Sequence, residues 1–377
     1  MASARTGSEG EAEAGSAGEA EAGSVTELAP RTRRRTLPVL LAAFVVLVLL
    51  EVAVNLVVHP QEGPPALAAV VEPHLLAAGA VAGLLAILLS LGSGTAGAWI
   101  RLAGAVIIVV AVVRLGGEWW SPAPEPAASG TALRVMSWNL ELGSKAAADS
   151  VAGIADGDAD LVALQELTPD VAKAIETDPV LRKRYPYRIL EARDGVAGMG
   201  LLSRRPLIVR GYATAPIILR AGLLLPDGRT VEVLDVHPYP PRMSTAWRIP
   251  VGLDTRRRDE DLLAIRGAVG ALADPGAALV IGDINTTPFE PGYRALSEES
   301  TYGTLVDAHD AVGTGPGFTW RPSSLEALKV GLLRIDHVFT GLWLRPVAVS
   351  EDCSLPGDHC RLFATLEPVP AAAGTGG

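Results

Sequence analysis

Polar residues suited to metal binding and proton transfer follow apolar runs at several places from position 133 onward. The clearest case is Ala278–Pro288, in which four apolar residues lead into Gly282 and then to Asp283 and Asn285. An apolar run closed by Gly and Pro is typical of a strand buried on both faces. Because side chains at i and i+2 of a strand point the same way, we expect Asp283 and Asn285 to project together from its end. A turn capped by these two residues is the competing interpretation.

Further apolar runs predict strands that carry similar polar residues. We predict strands over 133–140, 159–166, 198–203, 230–237, 333–339 and 361–366. The candidate functional residues on or beside them are Asn139, Glu166, His237, Asp336, Asp358 and His359. Taken one at a time, most of these residues also suit a helix cap or a solvated turn. Asp336 is different, because a carboxylate in mid-strand among apolar residues is costly unless it is hydrogen-bonded or bound to a metal.

The predicted strands alternate irregularly with two or three helices. Helical spacing covers 146–157 and 256–272, and Thr168-Pro169 has the residue types of a helix start. The apolar stripe of the helix over 256–272 comprises Leu262, Leu263, Ile265, Val269 and Leu272. This order of elements favours two sheets packed face to face with helices outside, rather than a doubly wound sheet.

In combination, these residues resemble the signature of the endonuclease/exonuclease/phosphatase family. This family comprises the metal-dependent phosphoesterases related to pancreatic deoxyribonuclease, abasic-site endonucleases and neutral sphingomyelinases. The signature pieces are Ser-Trp-Asn139, Leu-Gln-Glu166, Val-His237, Gly-Asp283-Ile-Asn285, Ile-Asp336-His337 and Gly-Asp358-His359. They follow the family's order over about 133–366. The resemblance implies an α+β fold, a four-layer α/β sandwich of two packed, mainly antiparallel sheets flanked by helices.

The resemblance also implies a divalent-metal-dependent phosphodiester hydrolase. A hard cation held by carboxylate oxygens offsets the negative charge of a phosphodiester and its attacking oxygen, which suits Mg²⁺ or Mn²⁺. By resemblance, Glu166 is the principal metal ligand, and Asn139 and Asp358 lie near the same ion.

The resemblance assigns the remaining residues to catalysis. His359 is then the general base, and Asp336 orients and stabilises its imidazole. Asp283 positions the nucleophile or assists the leaving group, and Asn285 and His237 bond the phosphate oxygens.

Two departures from the family pattern leave the substrate open. Gly357 stands where the family usually has Ser, and a Pro-rich turn follows His237 where many relatives continue with His-Leu. We therefore expect a nuclease-like enzyme that acts on nucleic acid, with a phospholipid or sphingomyelin headgroup or an inositol phosphate as the alternative substrate. A non-catalytic binding domain on the same fold is the other alternative. Residues 131–377 carry 25 Lys and Arg against 31 Asp and Glu, and this mild acidity argues against a broad nucleic-acid-binding face.

The N-terminal region predicts a membrane anchor. Residues 1–36 are expected to form a disordered cytoplasmic tail, because their first thirty residues offer little apolar surface to bury. Apolar stretches over 37–58, 74–91 and 96–115 predict three transmembrane helices. The expected divisions are the tail at 1–36, the anchor at 37–116, a Pro-rich stalk at 117–130, the catalytic domain at 131–368 and a disordered tail at 369–377.

The arginines predict the orientation of this anchor. Arginines at 31–35 and Arg101 favour the cytoplasmic side, which makes the chain a multi-pass cell-membrane protein with its catalytic domain outside the cytoplasm. Trp119 and Trp120 fall where an interfacial aromatic belt is expected. A cleaved signal peptide is the alternative for the first stretch, and a hairpin for the other two. Few ionisable residues interrupt the spans, which favours an anchor over a transport pathway, and no obligate protein partner is inferred.

A few residues have competing interpretations that the sequence leaves open. Cys353 and Cys360 suit a disulfide in an oxidising compartment and equally suit two buried thiols. The arginine clusters at 204–205 and 256–258 are expected to be solvated, with phosphate contact as the alternative. His309 is expected at the surface.

Overall fold

The computed structural model of the chain describes residues 33–121, 132–143, 146–298 and 305–370. Most of the predicted N-terminal tail, most of the predicted stalk and most of the C-terminal tail lie outside these ranges. The helices are α1 Arg33–Val58, α2 Gly63–Val70, α3 Glu72–Leu89, α4 Gly94–Trp119, α5 Ala147–Gly157, α6 Pro169–Thr177, α7 Pro179–Arg184, α8 Arg256–Gly270, α9 Arg294–Ser297 and α10 Ala308–Val312. The strands are β1 Leu133–Asn139, β2 Leu161–Gln165, β3 Tyr187–Glu191, β4 Met199–Ser203, β5 Leu207–Thr214, β6 Ile217–Leu224, β7 Thr230–Val236, β8 Arg242–Ala246, β9 Ile249–Asp254, β10 Ala278–Asp283, β11 Val306–Asp307, β12 Asp336–Thr340, β13 Leu344–Asp352 and β14 Arg361–Pro368.

Three N-terminal helices are long and apolar enough to cross a membrane, namely α1, α3 and α4. They overlap the stretches expected over 37–58, 74–91 and 96–115, but α4 continues to Trp119, so the first residues of the expected stalk are helical. The short helix α2, which the sequence did not predict, joins α1 to α3 and begins with the Pro64-Pro65 pair. Proline suits the first helical turn because the amide hydrogen that it lacks has no helical partner there.

The rest of the chain forms two mixed six-stranded sheets. One sheet has the order β13-β14-β1-β2-β4-β3, the other has the order β11-β12-β10-β7-β6-β5, and β8 and β9 form a separate hairpin. Each large sheet has one central parallel pair, β1 with β2 and β7 with β10, while its other pairs are antiparallel. The strands β2, β4 and β10 are buried along their whole length, because both faces of the sheets are covered there, and they are accordingly near-continuous apolar runs.

Three apolar clusters separate the layers. The largest lies between the two sheets and includes Val135, Leu219 and Ile281. A second lies between the first sheet and helices α5, α6 and α7, and a third lies between the second sheet and helices α8 and α9. The arrangement is a four-layer α/β sandwich, which confirms the expected fold class.

The N-terminal helices pack directly on the sandwich. Phe289 is buried in an apolar cluster with residues of α1, α3 and α4, and its carbonyl oxygen accepts a hydrogen bond from Asn55 Nδ2 at 2.8 Å. The guanidinium of Arg114 lies over the Phe289 ring at 5.4 Å. Beyond α4, the Ser121 amide donates to the Gly313 carbonyl at 3.3 Å. The segment around Phe289 is therefore held by the helix bundle.

Several sequence expectations about individual residues were wrong. Leu263 in α8 is 63% exposed, because the buried stripe passes through Leu262, Ile265 and Val269 instead. His309 is buried rather than at the surface, since α10 packs between β13 and the end of α4. The open question about the two cysteines is answered as well: Cys353 and Cys360 form a disulfide.

Candidate active site

The parallel strand pairs bring four of the candidate residues to one edge of the sandwich. Asn139 ends β1, and Glu166 directly follows β2, its parallel neighbour. In the other sheet, His237 directly follows β7, and Asp283 ends the parallel strand β10. Because the carboxyl ends of parallel strands meet at the same edge, each sheet contributes two polar side chains there.

Two antiparallel strands return to this edge at their amino ends. Asp336 is the first residue of β12 and pairs in register with Asp283 of β10. His359 precedes β14, which runs antiparallel to β1. The expectation that Asp336 lies in mid-strand was therefore wrong, because the chain before it pairs instead through Leu333 with Trp320. The edge position leaves the Asp336 carboxylate facing the other candidate residues.

The backbone around the strand ends adopts conformations that ordinary residues avoid. Gly282 has φ 145°, and a Cβ there would lie 2.1 Å from the Val236 carbonyl oxygen, so β7 and β10 approach closely only because this residue is glycine. Glu166 has φ 56° and Asn285 has φ 53°. Such left-handed conformations in residues other than glycine cost roughly 1–3 kcal/mol and concentrate at functional sites.

This conformation corrects the expected placement of Asn285. The strand ends at Asp283, so the two side chains are not related by strand alternation. Instead, the Asn285 amide donates to Asp283 Oδ1 at 2.9 Å, which turns the chain, and Asn285 Nδ2 donates to the Pro238 carbonyl at 3.1 Å. Asn285 thus lies beside the segment that follows His237.

The imidazole of His359 is held between two buried carboxylates. Its Nδ1 lies 2.9 Å from Asp336 Oδ2, and its Nε2 lies 3.6 Å from Asp283 Oδ2. The Asp336 amide donates to Thr319 Oγ1 at 3.1 Å, which fixes the start of β12. A carboxylate on one ring nitrogen leaves the other nitrogen facing the centre of the site, which is the arrangement of a hydrolase acid–base pair.

A second group of contacts surrounds the same Asp283 oxygen. Asn139 Nδ2 donates to Asp283 Oδ2 at 3.0 Å and to Glu166 Oε1 at 3.2 Å. His237 Nε2 lies 3.5 Å from Asp283 Oδ2 and 3.7 Å from Glu166 Oε1, while its Nδ1 lies 2.9 Å from the Val196 carbonyl. Both sheets therefore contribute to one cluster.

Asp358 joins the site through its neighbours. Its amide donates to Glu141 Oε2 at 3.4 Å, and the Glu141 amide in turn donates to Asn139 Oδ1 at 2.9 Å. Trp320 Nε1 donates to Asp358 Oδ2 at 3.3 Å. The turn that carries Asp358 is thereby tied to the end of β1.

Burial and mutual attraction set the charge states of this cluster. Burial acts to raise the pKa of Asp283, but the imidazoles of His359 and His237 outweigh it and lower that pKa to about 2. Burial acts against a charge on His359, yet Asp336 and Asp283 outweigh it and raise the pKa of His359 to about 10. Burial raises the pKa of Asp336. Without a cation, the cluster thus favours a positive His359 imidazole. A divalent cation bound by the same carboxylates would compete with this charge and favour the neutral ring that can accept a proton.

The donor set fits a divalent cation. Ligand atoms of Asp283, Asp336 and His359 all lie within 4.8 Å of one another, so the carboxylates could hold a cation while the imidazole remains beside it as the base. Asp336 Oδ1 is buried and has no hydrogen-bond partner among the described residues, so it is an oxygen with unused acceptor capacity. Carboxylate and amide oxygens are the ligands that hard cations prefer, and Glu166 and Asn139 add two more of them.

Sequence reasoning missed several residues that support the site. Arg258 is fully buried and donates to the Asn285 carbonyl at 2.9 Å and to Glu290 at 2.5 Å, so it is neither solvated nor free to contact phosphate. Gln165 Nε2 donates to Asp235 Oδ1 at 2.7 Å across the two sheets. Thr319 belongs to an irregular segment and Glu141 to a three-residue 3-10 turn, and both are too short for periodicity to give a signal. Gln165 directly precedes Glu166 in the sequence, and this position is the one signal that could have suggested that Gln165 supports the site.

The fold and the site together define a class of phosphoester-cleaving proteins. In this class, the two sheets of a four-layer sandwich bring Asn, Glu, Asp and His side chains to one edge. The sequence model of the Endonuclease/Exonuclease/phosphatase family matches residues 136–359, and the chain belongs to this family. Its members are generally hydrolases that act on phosphoester bonds, and they generally use divalent metals. A comparison with curated proteins gave no match.

Solved structures with a similar fold come from several organisms. The chain is similar to an endonuclease/exonuclease/phosphatase from Bacteroides vulgatus at 16% identity, with 63% of this chain and 100% of that one covered and a TM-score of 0.45. It is also similar to an AP endonuclease from Archaeoglobus fulgidus at 16% identity, with 62% and 98% covered and a TM-score of 0.45. A third is an endonuclease/exonuclease/phosphatase from Beutenbergia cavernae at 18% identity, with 63% and 72% covered and a TM-score of 0.45.

Proposed function

We propose that this protein is a membrane-anchored phosphodiester hydrolase that depends on Mg²⁺ or Mn²⁺. The observation that carries the proposal is the position of the His359 ring, with Nδ1 on Asp336 at 2.9 Å and Nε2 facing Asp283 at 3.6 Å. An imidazole oriented by one carboxylate, beside a cluster of cation ligands, is suited to take a proton from an attacking water molecule.

The chain's residues have distinct roles in this proposal. Glu166 is the principal ligand of the cation, and Asn139 and Asp358 lie near the same ion. His359 is the general base, and Asp336 fixes the orientation of its ring. When bound, a divalent cation supplies positive charge that stabilises the charge developing on the phosphate.

The remaining catalytic roles belong to residues of the second sheet. Asp283 lies within 3.6 Å of both imidazoles, so it is placed to position the attacking water or to assist the leaving group. His237 and Asn285 bond the phosphate oxygens. Burial acts to lower the pKa of His237, but Asp283 outweighs it and raises that pKa, which favours a positive ring that can donate to an anionic substrate.

The test uses the full-length protein in detergent with bis(p-nitrophenyl) phosphate as substrate. We expect hydrolysis with Mg²⁺ or Mn²⁺ and its loss with EDTA, with recovery when the metal is returned. His359→Ala should lower kcat by roughly 10²–10⁴, the usual contribution of a general base. Hydrolysis that persists unchanged in EDTA contradicts the metal mechanism. A folded protein that hydrolyses no phosphodiester supports the alternative of a binding domain.

Nucleic acid and lipid headgroups are the two substrate classes that this proposal leaves to compare. The family includes nucleases, which favours the first class. The packing of Phe289 among α1, α3 and α4 favours the second, because it keeps the segment after Asp283 next to the helices that are apolar enough to span a membrane. A panel of single-stranded and duplex DNA, RNA, sphingomyelin, phospholipids and inositol phosphates, each with and without Mg²⁺, separates them.

The proposed location is the cell membrane, with the catalytic domain outside the cytoplasm. The arginines at 31–35 carry this orientation. Protease added to intact cells should digest the domain in this orientation. A domain that only becomes sensitive after the membrane is opened contradicts the proposed side.

A further inference from the structure

The hairpin of β8 and β9 exposes a group of large apolar side chains. It belongs to neither large sheet. Trp247 in its turn is 96% exposed, and Ile249 and Met243 are 62% and 56% exposed. Trp247 and Arg248 have φ values of 47° and 66°, which suit a tight two-residue hairpin turn and hold the tryptophan at the tip. Exposed apolar surface of this kind marks a place of interaction.

The base of this hairpin is fixed to the segment that joins two candidate membrane spans. Gly63, at the start of α2, pairs with Leu253 of β9, and the Thr255 amide donates to the Gln61 carbonyl at 2.8 Å. Leu253 is buried in an apolar cluster with residues of α2. The hairpin and the α1–α3 connection are therefore one packed unit.

The position of α2 sets the level of the hairpin relative to a bilayer. Helix α2 connects the end of α1 at Val58 to the beginning of α3 at Glu72, so it lies where both spans end. It contains no charged residue. A short apolar helix between two spans lies at the boundary of the hydrocarbon layer. Because β9 packs along α2, the hairpin is brought to the same boundary.

The composition of the hairpin fits this boundary. Tryptophan is enriched at the membrane–water interface, where its ring contacts acyl chains and its N–H stays hydrated. The hairpin, residues 242–254, contains two arginines and one acidic residue, Asp254, which lies at its base opposite Arg242. The tip therefore carries the positive charge of Arg248, which is complementary to anionic headgroups. Both arginines, Arg242 and Arg248, are exposed.

We propose that the β8–β9 hairpin lies in the headgroup layer of the bilayer crossed by α1, α3 and α4, with Trp247 at the hydrocarbon boundary. Residues 238–241 connect His237 directly to this hairpin. Contact with the headgroup layer therefore fixes which side of the active site faces the membrane. The inference rests on the membrane anchoring in the proposed function, and it does not depend on which ester is cleaved.

The test measures how deeply single labels lie in a bilayer. Trp247→Cys in the full-length protein is labelled with an environment-sensitive fluorophore and reconstituted into vesicles of phosphatidylcholine and phosphatidylglycerol. The native cysteines are bonded to each other and do not compete for the label. We expect quenching by lipids that carry a spin label near the headgroup, and protection from iodide in the water.

Two further labels make the result decisive. The label of Val109→Cys lies in the middle of α4, where the valine is 61% exposed, and its quenching by lipid that carries a spin label deep in the acyl chain reports the insertion of the spans. Leu342→Cys is 70% exposed beside the start of β10, at the end opposite Asp283, and it should be quenched by iodide alone.

The combination of outcomes separates the two hypotheses. Quenching by spin-labelled lipid at positions 109 and 247, but not at 342, supports the hairpin contact. Lipid quenching at 109 with iodide quenching at 247 overturns it and leaves the anchor intact. Iodide quenching at all three positions overturns the membrane anchoring itself. Replacing phosphatidylglycerol with phosphatidylcholine should reduce the lipid quenching at 247 and leave that at 109 unchanged. Arg248 lies beside position 247, whereas the residues of α4 around position 109 are apolar.

Discussion

Replacing Asp336 with asparagine tests the central contact of the site. The substitution keeps the shape of the side chain and removes its charge from a buried hydrogen bond 2.9 Å long to His359 Nδ1. If His359 takes a proton during the reaction, its positive charge then lacks this carboxylate. Two unit charges about 4 Å apart interact by about 4 kcal/mol at an effective dielectric constant of about 20.

This energy gives the size of the expected effect. Since each 1.36 kcal/mol changes a rate about tenfold, a loss of about 3–4 kcal/mol in the transition state lowers kcat by roughly 10²–10³. The effect belongs in kcat rather than KM, because Asp336 acts on the base and not on the bound substrate. The assay is hydrolysis of bis(p-nitrophenyl) phosphate by the full-length protein at saturating Mg²⁺.

Asp235→Asn is the matched control. Asp235 is also a buried carboxyl group of the second sheet, but its partner is Gln165 Nε2 at 2.7 Å. Burial raises the pKa of Asp235 well above its usual value, which favours the neutral acid. We expect this variant to keep kcat within about tenfold of wild type, because Asp235 is hydrogen-bonded to Gln165 and not to His359. A folded Asp336→Asn protein whose kcat stays within about tenfold of wild type would falsify the assignment of His359 as the base.

Three other predictions concern stability. Gly282→Ala should lower the free energy of unfolding by at least about 2 kcal/mol, because the new Cβ meets a β7 carbonyl and φ at this position is positive. The control is Gly267→Ala in α8, whose Cβ meets no atom within 4 Å and which should be neutral or stabilising. Denaturant titration compares the two variants, and equal effects contradict the packing argument. Reducing the Cys353–Cys360 disulfide should lower the free energy of unfolding by about 2–3 kcal/mol, as the loop-entropy relation gives for a loop of this length. The measurement is the denaturation midpoint with and without dithiothreitol, and an unchanged midpoint contradicts the prediction. Burial opposes the charge on His359, but two carboxylates outweigh it and raise its pKa to about 10. In EDTA, the protonated His359 therefore stabilises the folded state fully below about pH 6.5, and this contribution disappears as the pH rises to about 10. The melting temperature should fall more steeply over this range in wild type than in His359→Gln, and parallel slopes contradict the assignment.

Local patterns were sufficient for the strands that carry the site. The apolar runs before Asn139, Glu166, His237 and Asp283 depend only on neighbouring residues, and the structure has a strand at each of them. The same reasoning failed for Asp336, because the apolar residues predict a strand from Leu333 onward, whereas Leu333 pairs with Trp320 in an irregular segment. Periodicity cannot distinguish a strand from an extended loop that happens to contain apolar residues.

Buried charges were harder to predict than buried apolar residues. Arg258 and His309 were both expected to be in contact with water, since charged and polar residues are mostly exposed. Arg258 is buried because Asp259, Glu290 and the Asn285 carbonyl satisfy its guanidinium. These partners come from two different segments, so no local pattern contains the information.

The sequence by itself determined the three long apolar helices, the strand-forming runs and the residue types at their ends, because hydropathy and turn chemistry act over a few residues. The tertiary structure alone decided that two parallel strand pairs and two returning strands share one edge, so that His359 faces both Asp336 and Asp283. It also decided that Phe289 packs among the N-terminal helices and that β9 packs on α2. These contacts join residues far apart in the chain, and they form only when the whole apolar core is buried at once.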